Sequence, residues 1–275
     1  MTTRGVPPRP RALSIAGSDS GGGAGIQADL KTFSALGVYG MTAITAVTVQ
    51  NTKGVSGYEA LAPQLVDEQI RAVTTDIGVD AVKTGMLANA GIVRAVAGAV
   101  EELEIANLVV DPVFVSKHGD LLLAEDAVDE LRRRIVPLAT LVTPNLPEAS
   151  GLADLPVGAK DDMRRAADAI LALGAGAVLV KGGHLEASAD AADLFVSGGV
   201  EEWLVTERID TRNTHGTGCT ISSAIAAHLA MGWELLESVR AGKAFVTEAI
   251  RGALDIGAGI GPVDQLWSIP PGERR

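Results

Sequence analysis

Short apolar runs alternate with longer amphipathic segments from one end of the chain to the other. The apolar runs predict six strands, at residues 13–16, 41–49, 81–84, 108–111, 141–143 and 177–181. The segments between and after them carry apolar residues at the helical period and predict seven helices, at residues 25–36, 63–76, 90–102, 124–134, 161–172, 217–231 and 235–254. Because strands alternate with helices, the pattern favours an α/β fold with a parallel sheet covered by helices.

Two further runs, at residues 193–196 and 201–205, flank the turn sequence "SGGV". This spacing predicts a β-hairpin, which adds antiparallel strands at one edge of the sheet. We therefore expect a mostly parallel central sheet with an antiparallel edge. In an open sheet of this kind, ligands bind beyond the carboxyl ends of the strands, so we expect the functional site in the loops that follow the strands.

Composition and charge narrow the functional classes. The 275 residues fit one large α/β domain, although length alone also allows two smaller ones. A formal net charge of −11 disfavours binding to a nucleic-acid backbone. The single cysteine rules out an internal disulfide and fits a reducing, cytoplasmic compartment. Every apolar run stops well short of the ~20 residues that span a bilayer, and the proline-rich start predicts a disordered tail over residues 1–11.

The first loop, in "AGSDSGGGAGIQADLK", leads from a strand into a helix. Gly23, Gly25 and Ala28 satisfy a loose dinucleotide-binding pattern, and a tight strand-to-helix turn explains the same glycines equally well. The carboxylate that would hold a ribose is absent, because the next strand ends at Gln50 and Asn51. An amide offers both a donor and an acceptor, which suits the edge of a heterocyclic base.

Three later loops carry polar groups that have both structural and functional interpretations. In "TPNLPEA", Asn145 and Glu148 match a helix capping box, or they hold a hydrated Mg²⁺ that bridges nucleotide phosphates. Asp111 closes the strand "LVVDP", where a carboxylate beside an apolar core needs a cation, water or backbone donors. In "VLVKGGH", Lys181 precedes two glycines and fits either an anion site or a surface turn. Lys117 and Asp120 lie in a loop that could close over a ligand.

The stretch "NTHGTGCT" contains the only cysteine and runs into an apolar, alanine-rich helix. Its position predicts that Thr217 to Cys219 form the first helical turn, with free amides that make an anion hole and a dipole that favours the Cys219 thiolate. Both properties suit phosphoryl transfer, with Cys219 accepting a proton from an attacking hydroxyl. Two alternatives stay open: a covalent thiol nucleophile with His215 as its base, and a small buried residue at a helix start.

Six stretches together resemble a known family in both order and spacing: "AGSDSGGGAGIQADLKT", "KTGML", "VVDPV", "TPNLPEA", "VKGGHLE" and "NTHGTGCT". They are similar to hydroxymethylpyrimidine/phosphomethylpyrimidine kinases of the ribokinase-like superfamily, and the resemblance runs from Ala12 to Val263. It implies a three-layer αβα sandwich, with one kinase domain at residues 12–266 between an N-terminal tail and a C-terminal tail at 267–275. The sequence "GTGC", where ribokinase relatives usually carry GAGD, is its most specific part.

The resemblance also implies an activity and a site. The activity is ATP- and Mg²⁺-dependent phosphorylation of 4-amino-5-hydroxymethyl-2-methylpyrimidine and then of its monophosphate, which gives the pyrimidine diphosphate used to make thiamine. Cys219 takes the place of the catalytic base, and the anion hole consists of the amides of Gly216, Thr217 and Gly218. The remaining site residues fall into three groups by implied ligand: Gln50, Asp29, Met86 and Val113 for the pyrimidine, Lys181, Lys243 and Asn145 for the nucleotide, and Asp111 and Glu148 for Mg²⁺.

The resemblance further implies a homodimer, and it leaves two rival functions. A pyridoxal kinase is the nearer one, since related enzymes also use "GTGC" and their substrate is a hydroxymethylated heteroaromatic ring. A non-catalytic protein that binds the pyrimidine or a nucleotide is the other. Phe114 stands where relatives commonly have Met, and "SDSGGG" replaces forms such as "TDPSGG". These departures concern the shape of the substrate pocket.

Overall fold

The computed structural model describes residues 9–114, 125–183, 185, 190–269 and 272. The strands within these residues are β1 (Arg11–Ala16), β2 (Tyr39–Ile44), β3 (Ala46–Asn51), β4 (Gly54–Ala60), β5 (Ala81–Thr84), β6 (Leu108–Val110), β7 (Leu141–Val142), β8 (Val178–Val180), β9 (Asp190–Ser197) and β10 (Val200–Glu207). The helices are α1 (Gly25–Ala35), α2 (Pro63–Asp76), α3 (Ala90–Glu102), α4 (Glu125–Glu130), α5 (Leu146–Ala153), α6 (Lys160–Ala172), α7 (Thr217–Ala230) and α8 (Leu235–Arg251).

Eight strands form one sheet in the order β10-β9-β8-β7-β6-β5-β1-β2. Strands β8, β7, β6, β5, β1 and β2 are parallel to one another, whereas β9 pairs antiparallel with both β8 and the edge strand β10. The turn of this edge hairpin uses Gly198 and Gly199, whose φ angles of 53° and 87° are natural for glycine. The predicted α/β fold with a mostly parallel sheet and an antiparallel edge is confirmed.

Helices cover both faces of this sheet and create two apolar cores. One core lies against α2 to α6, and the other lies against α1, α7 and α8. Strands β6, β7 and β8 are buried at every position, which explains why the sequence shows continuous apolar runs there and no alternation. The arrangement is the three-layer αβα sandwich that the resemblance implied.

The prediction of a single strand over residues 41–49 is wrong. The chain breaks at Thr45, whose hydroxyl donates to the carbonyl of Met86 at 2.6 Å and whose N–H donates to Ala16. After this break β3 leaves the main sheet and pairs only with β4 in a separate antiparallel ribbon, which the sequence did not predict. The register of that ribbon shifts between Val49 and Gln50, so the strand carries a bulge where the candidate pyrimidine residue lies.

The other predicted elements match within a few residues at their ends. The predicted helix 124–134 corresponds to α4, which continues as a π-helical turn at Leu131–Ile135 and a 3-10 turn at Val136–Leu138. The last residue of the predicted N-terminal tail, Arg11, already belongs to β1 and pairs with Asp80 at 2.6 Å, and residues 1–8 lie outside the described part of the chain. At the first residue of the predicted C-terminal tail, the ring of Trp267 packs on Phe245 with ring centroids 5.6 Å apart. In the part of the chain described, no helix is both long and apolar enough to cross a membrane.

Candidate active site

The carboxyl ends of the parallel strands meet the start of α7 at one edge of the sheet. This edge collects loop residues from the ends of β1, β5, β6, β7 and β8, namely residues 17–24, Met86, Asp111, Asn145 and Lys181. The N-terminus of α7, at Thr217, brings the "GTGC" sequence to the same place. The fold therefore joins stretches that lie up to two hundred residues apart in the sequence, as expected for an open parallel sheet.

The turn before α7 fits only because residue 216 is glycine. Gly216 has a φ of 84°, and a Cβ atom there would overlap the carbonyl oxygen of Gly23 in the first loop. On the other side of this contact, a Cβ on Gly23 would lie 2.5 Å from the ring of His215. The two glycine-rich stretches thus pack backbone against backbone, and α7 starts at Thr217 as predicted.

Asp19 organises the first loop, and sequence reasoning assigned it no role. Its buried carboxylate accepts the N–H groups of Gly21, Gly23 and Ala24 at 2.8 to 3.0 Å. It also lies 2.8 Å from Nε2 of His215. Burial would raise the pKa of Asp19, but His215 and the backbone N–H groups lower it below its ordinary value. The signal available in the sequence was an aspartate directly before the run "SGGG".

These contacts decide two of the open alternatives. The amides of the glycine-rich loop are bound to Asp19, so the loose dinucleotide pattern is a strand-to-helix turn and not a pyrophosphate cradle. The ring of His215 is directed at Asp19, which leaves no support for His215 as the base of a thiol nucleophile.

Cys219 lies in the first turn of α7, but the prediction of a lowered thiol pKa is wrong. Burial raises the pKa of Cys219 to about 12; Lys83 and the N–H of Gly25 lower it, whereas Asp29 and Asp111 raise it further. A helix N-terminus contributes about 0.3–2 kcal/mol. Desolvation moves a buried pKa by as much as about 3–5, which corresponds to roughly 4–7 kcal/mol. Desolvation therefore dominates, although Cys219 keeps partial surface exposure.

Lys181 and Asp111 form an ion pair beside the anion hole. Nζ of Lys181 lies 2.8 Å from Oδ1 of Asp111, and both residues come directly after strands. Burial would lower the pKa of Lys181, but the carboxylates of Asp111 and Glu148 raise it. A Cβ atom added to Gly218 would lie 3.3 Å from this ammonium and 3.7 Å from Asp111. The pair therefore faces the backbone of the "GTGC" turn, which favours the anion-site interpretation of Lys181 over a surface turn.

Asn145 and Glu148 form the capping box of α5. Oδ1 of Asn145 accepts the N–H of Glu148 at 2.9 Å, and Oε2 of Glu148 accepts the N–H of Asn145 at 2.8 Å. Burial raises the pKa of Glu148 to about 7; Asp111 raises it as well, while Lys181 and Asn145 lower it. A nearby cation stabilises the charged form of a buried carboxylate whose pKa is raised. The capping and metal interpretations are therefore compatible.

A magnesium ion with few protein ligands fits these residues. Asp111 and Glu148 offer two buried carboxylates that repel each other across the site. Within the described ranges, no group of three or more His, Cys, Asp or Glu side chains converges on a point. Mg²⁺ commonly uses one or two carboxylates and takes its other ligands from water and phosphate oxygens. The donor set suits that arrangement better than a closed protein cage.

Of the residues predicted to hold the pyrimidine, Gln50 and Met86 lie beside the first loop, whereas Val113 lies beyond Asp111. Gln50 lies near the end of β3 next to the first loop. Its backbone N–H donates to Ser20 Oγ at 3.4 Å, and its side-chain Oε1 accepts the Thr48 hydroxyl at 3.3 Å. Met86 follows β5 and its sulfur would lie 3.1 Å from a Cβ on Gly17. Both residues therefore border the first loop. Val113 is half-buried just beyond Asp111 and packs on the larger core.

Two predicted site residues are held inside the protein. Asp29 does not line a cavity, because it is completely buried and its carboxylate already binds Lys83 and two serine hydroxyls. Lys243 bonds Asp193 at 2.8 Å, and the other oxygen of Asp193 accepts the N–H of Gly182. Lys243 thus reaches the candidate nucleotide side only through Asp193. Lys117 and Asp120 lie outside the described residues.

The fold defines a kinase of the ribokinase-like class, in which the start of α7, Lys181 and the buried carboxylate of Asp111 come together at the carboxyl edge of the sheet. The chain belongs to the phosphomethylpyrimidine kinase family, whose signature matches residues 19–264.

Individual relatives agree with this assignment. The chain is 52% identical to the hydroxymethylpyrimidine/phosphomethylpyrimidine kinase of Streptomyces coelicolor, over 94% of this chain and 96% of that protein. Its structure is similar to an ADP complex of Bacillus subtilis pyridoxal kinase, with a TM-score of 0.88 and 42% identity over 94% of this chain and 98% of the other. It is also similar to phosphomethylpyrimidine kinase from Clostridium difficile 630, with a TM-score of 0.78 and 44% identity over 87% and 99%.

The contact between the two glycine-rich stretches can be tested with two matched substitutions. Gly216 and Gly232 flank α7 and have nearly the same φ, 84° and 83°, but nothing lies within 4 Å of a Cβ on Gly232. We expect Gly232→Ala to cost about 1–2 kcal/mol from the left-handed backbone alone. Gly216→Ala should cost clearly more in urea unfolding, because Gly23 must also move. Equal losses would show that the contact imposes no constraint.

The buried carboxylate of Glu148 predicts a pH-dependent stability. Its pKa rises from an ordinary 4.5 to about 7 on folding, so the folded protein holds a proton that the unfolded chain has released. The contribution of Glu148 to the free energy of unfolding is therefore present at acid pH and is lost as the pH rises through about 7. We expect Glu148→Gln to raise the melting temperature above pH 7 in the presence of a chelator, with little change near pH 4.

A control of opposite sign comes from Asp162, where the N–H of Gly158, Arg165 and the N–H of Ala159 lower the pKa. Asp162→Asn should lower the melting temperature at neutral pH and matter less in acid. Circular dichroism melts over a pH series measure both variants. A Glu148→Gln protein that is less stable than the parent above pH 7 would contradict the assigned direction.

Proposed function

We propose that the protein transfers the γ-phosphoryl group of ATP to 4-amino-5-hydroxymethyl-2-methylpyrimidine and then to the resulting monophosphate, which yields the pyrimidine diphosphate for thiamine synthesis. The observation that supports this most directly is the Lys181–Asp111 pair, which faces the backbone of Gly218 one residue before Cys219. Membership of the phosphomethylpyrimidine kinase family supplies the substrate class.

In the first transfer, the hydroxyl oxygen of the pyrimidine forms a bond to the γ-phosphorus, and the bond from that phosphorus to the bridging oxygen of ATP breaks. The hydroxyl proton goes to Cys219 in its thiolate form. The amides of the "GTGC" turn and the ammonium of Lys181 stabilise charge on the moving phosphoryl group. Mg²⁺, held by Asp111 and Glu148, would neutralise phosphate charge when bound.

The high pKa of Cys219 has two opposing effects on this step. A thiolate with a pKa of about 12 is a strong base, but little of it exists at neutral pH. The second transfer differs, because its acceptor is a phosphate monoester whose second pKa is about 6. Such an oxygen is already anionic at pH 8 and needs no base. The two steps of one site should therefore depend on Cys219 to different degrees.

This difference gives the main test of the function. With ATP and Mg²⁺, we expect both pyrimidines to be converted to the diphosphate, followed by ADP release and product mass. Cys219→Ala should slow the first transfer by roughly 100-fold and the second far less. Gly218→Ala is the matched control: its Cβ would crowd Lys181, which serves both transfers, so both should slow alike. Full activity of Cys219→Ala in the first transfer would remove the thiol from the mechanism.

Pyridoxal is the second candidate substrate, favoured by the similarity to Bacillus subtilis pyridoxal kinase. Gln50 favours the aminopyrimidine, because one amide can pair with both a ring nitrogen and an amino group. Pyridoxal is therefore assayed in parallel. Turnover of pyridoxal alone would move the assignment to vitamin B6 salvage, and turnover of neither substrate would favour a binding protein.

We also propose a homodimer that uses the β3–β4 ribbon. Val47 and Val49 are alternate residues on one face of β3 and are 52% and 65% exposed, whereas Thr48 on the other face is buried. An exposed apolar strand face of this kind is costly in an isolated subunit. We expect Val49→Asp to dissociate the dimer in sedimentation velocity, while Val200→Asp, at the exposed hairpin, should not. A parent protein that is monomeric at micromolar concentration would overturn the proposal.

A further inference from the structure

An ion pair without an assigned role lies in the core behind the start of α7. Lys83 on β5 and Asp29 on α1 are both completely buried, and Nζ of Lys83 lies 3.0 and 3.1 Å from the two carboxylate oxygens. A buried pair of this kind is weak evidence for a stabilising role, because well-packed apolar residues often serve as well or better. Stability alone therefore does not explain why this ion pair lies at this place in the core.

The pair is fixed in position from several sides. Ser14 donates to one oxygen of Asp29 at 2.5 Å, and Ser223 donates to the other at 2.6 Å. Ser14 and Lys83 are register partners on the adjacent strands β1 and β5, so their side chains leave the sheet on the same face. A Cβ atom on Gly85 would lie 2.8 Å from Nζ of Lys83, which shows how closely the backbone surrounds the ammonium.

The same contacts place the pair next to Cys219. Ser223 follows Cys219 by one helical turn, so both side chains lie on the same face of α7, and this face packs on β5 and α1. Four charged groups act on the thiol: Lys83 from β5, Asp29 from α1, Asp111 from the loop after β6, and Lys181 from the loop after β8. Both lysines carry the charge that favours a thiolate, and Lys83 has the larger effect on the thiol, assisted by the N–H of Gly25.

We propose that Lys83 is a positioning residue for phosphoryl transfer, whose ammonium, held by Asp29, stabilises the negative charge of Cys219 as it takes the proton of the substrate hydroxyl. This inference rests on the proposed role of Cys219 as base. The proton moves from the hydroxyl oxygen to the sulfur, the oxygen–phosphorus bond forms as the bond to ADP breaks, and Lys83 keeps its own protons throughout. Asp29 limits the effect, because its carboxylate opposes the thiolate.

The single cysteine makes the proposal directly measurable. The rate of alkylation by iodoacetamide, followed by intact mass, is proportional to the thiolate fraction and reports only Cys219. At any pH below the thiol pKa, a change of 1 in that pKa alters the alkylation rate about tenfold. The measurement is made over a pH series without substrate, nucleotide or metal, on variants whose folding is checked by circular dichroism.

The expected shifts have opposite signs. Lys83→Met should slow alkylation about tenfold or more at a given pH, because it leaves the carboxylate of Asp29 against the thiol. Asp29→Asn should accelerate alkylation, since the opposing charge is gone. Ser14→Ala is the control: it removes a hydrogen bond from Asp29 and no charge, so the rate should stay unchanged. Equal rates in all folded variants, or shifts of the same sign for both charge removals, would overturn the proposal.

A folding failure of Lys83→Met does not end the test, because the double variant Asp29→Asn/Lys83→Met buries no charge. It should alkylate more slowly than Asp29→Asn alone, and an equal rate would contradict the role of Lys83. Catalysis is compared separately: kcat for the first phosphorylation should fall with the alkylation rate in Lys83→Met and Michaelis constants should change little. If the variants change the alkylation rate but not kcat, the catalytic role of Lys83 is overturned. If the variants change the alkylation rate but the parent protein has no kinase activity, only the proposed function is contradicted.

Discussion

The carbonyl oxygen of Gly23 lies where a side chain on residue 216 would have to be. This backbone contact brings the loop after β1 against the start of α7, and the site depends on it. Asp19 holds the loop through its amides and reaches His215 on the opposite stretch, while Gln265 donates to the same Gly23 carbonyl and so supports the contact from a third segment. The backbone of the "GTGC" turn is held in its observed shape by these partners.

Charge burial sets the chemistry that this scaffold can perform. The site contains cations and carboxylates that are nearly closed to water, and four of them form two ion pairs, Lys181 with Asp111 and Lys83 with Asp29. Pairing keeps these groups ionised, as the raised pKa of Lys83 shows. Groups without a cation of their own respond to burial instead, and the pKa values of Glu148 and Cys219 rise. In the proposed function, a bound divalent cation and phosphates would supply the charges that these buried groups lack.

The thiol at Cys219 illustrates a compromise that follows from this environment. A carboxylate in the same position would be ionised more readily but would be a weaker base, and it would add negative charge beside Asp29 and Asp111. A neutral thiol avoids that repulsion until a hydroxyl approaches. In the proposed mechanism such a base serves an alcohol acceptor and is dispensable for a phosphate acceptor, so that one site performs two chemically different transfers.

The sequence by itself determined the α/β class, the edge hairpin, the start of α7 and the family, because these depend on local periodicity, turn residues and stretches that are characteristic without their surroundings. It also placed Asn145 and Glu148 in a capping box, which is a contact over three residues. Only the tertiary structure decided that the chain breaks at Thr45 between β2 and β3, that Asp29 belongs to the core, and that burial raises the pKa of the Cys219 thiol. Each of these depends on partners distant in the sequence, and desolvation by such partners outweighs the local effect of a helix terminus.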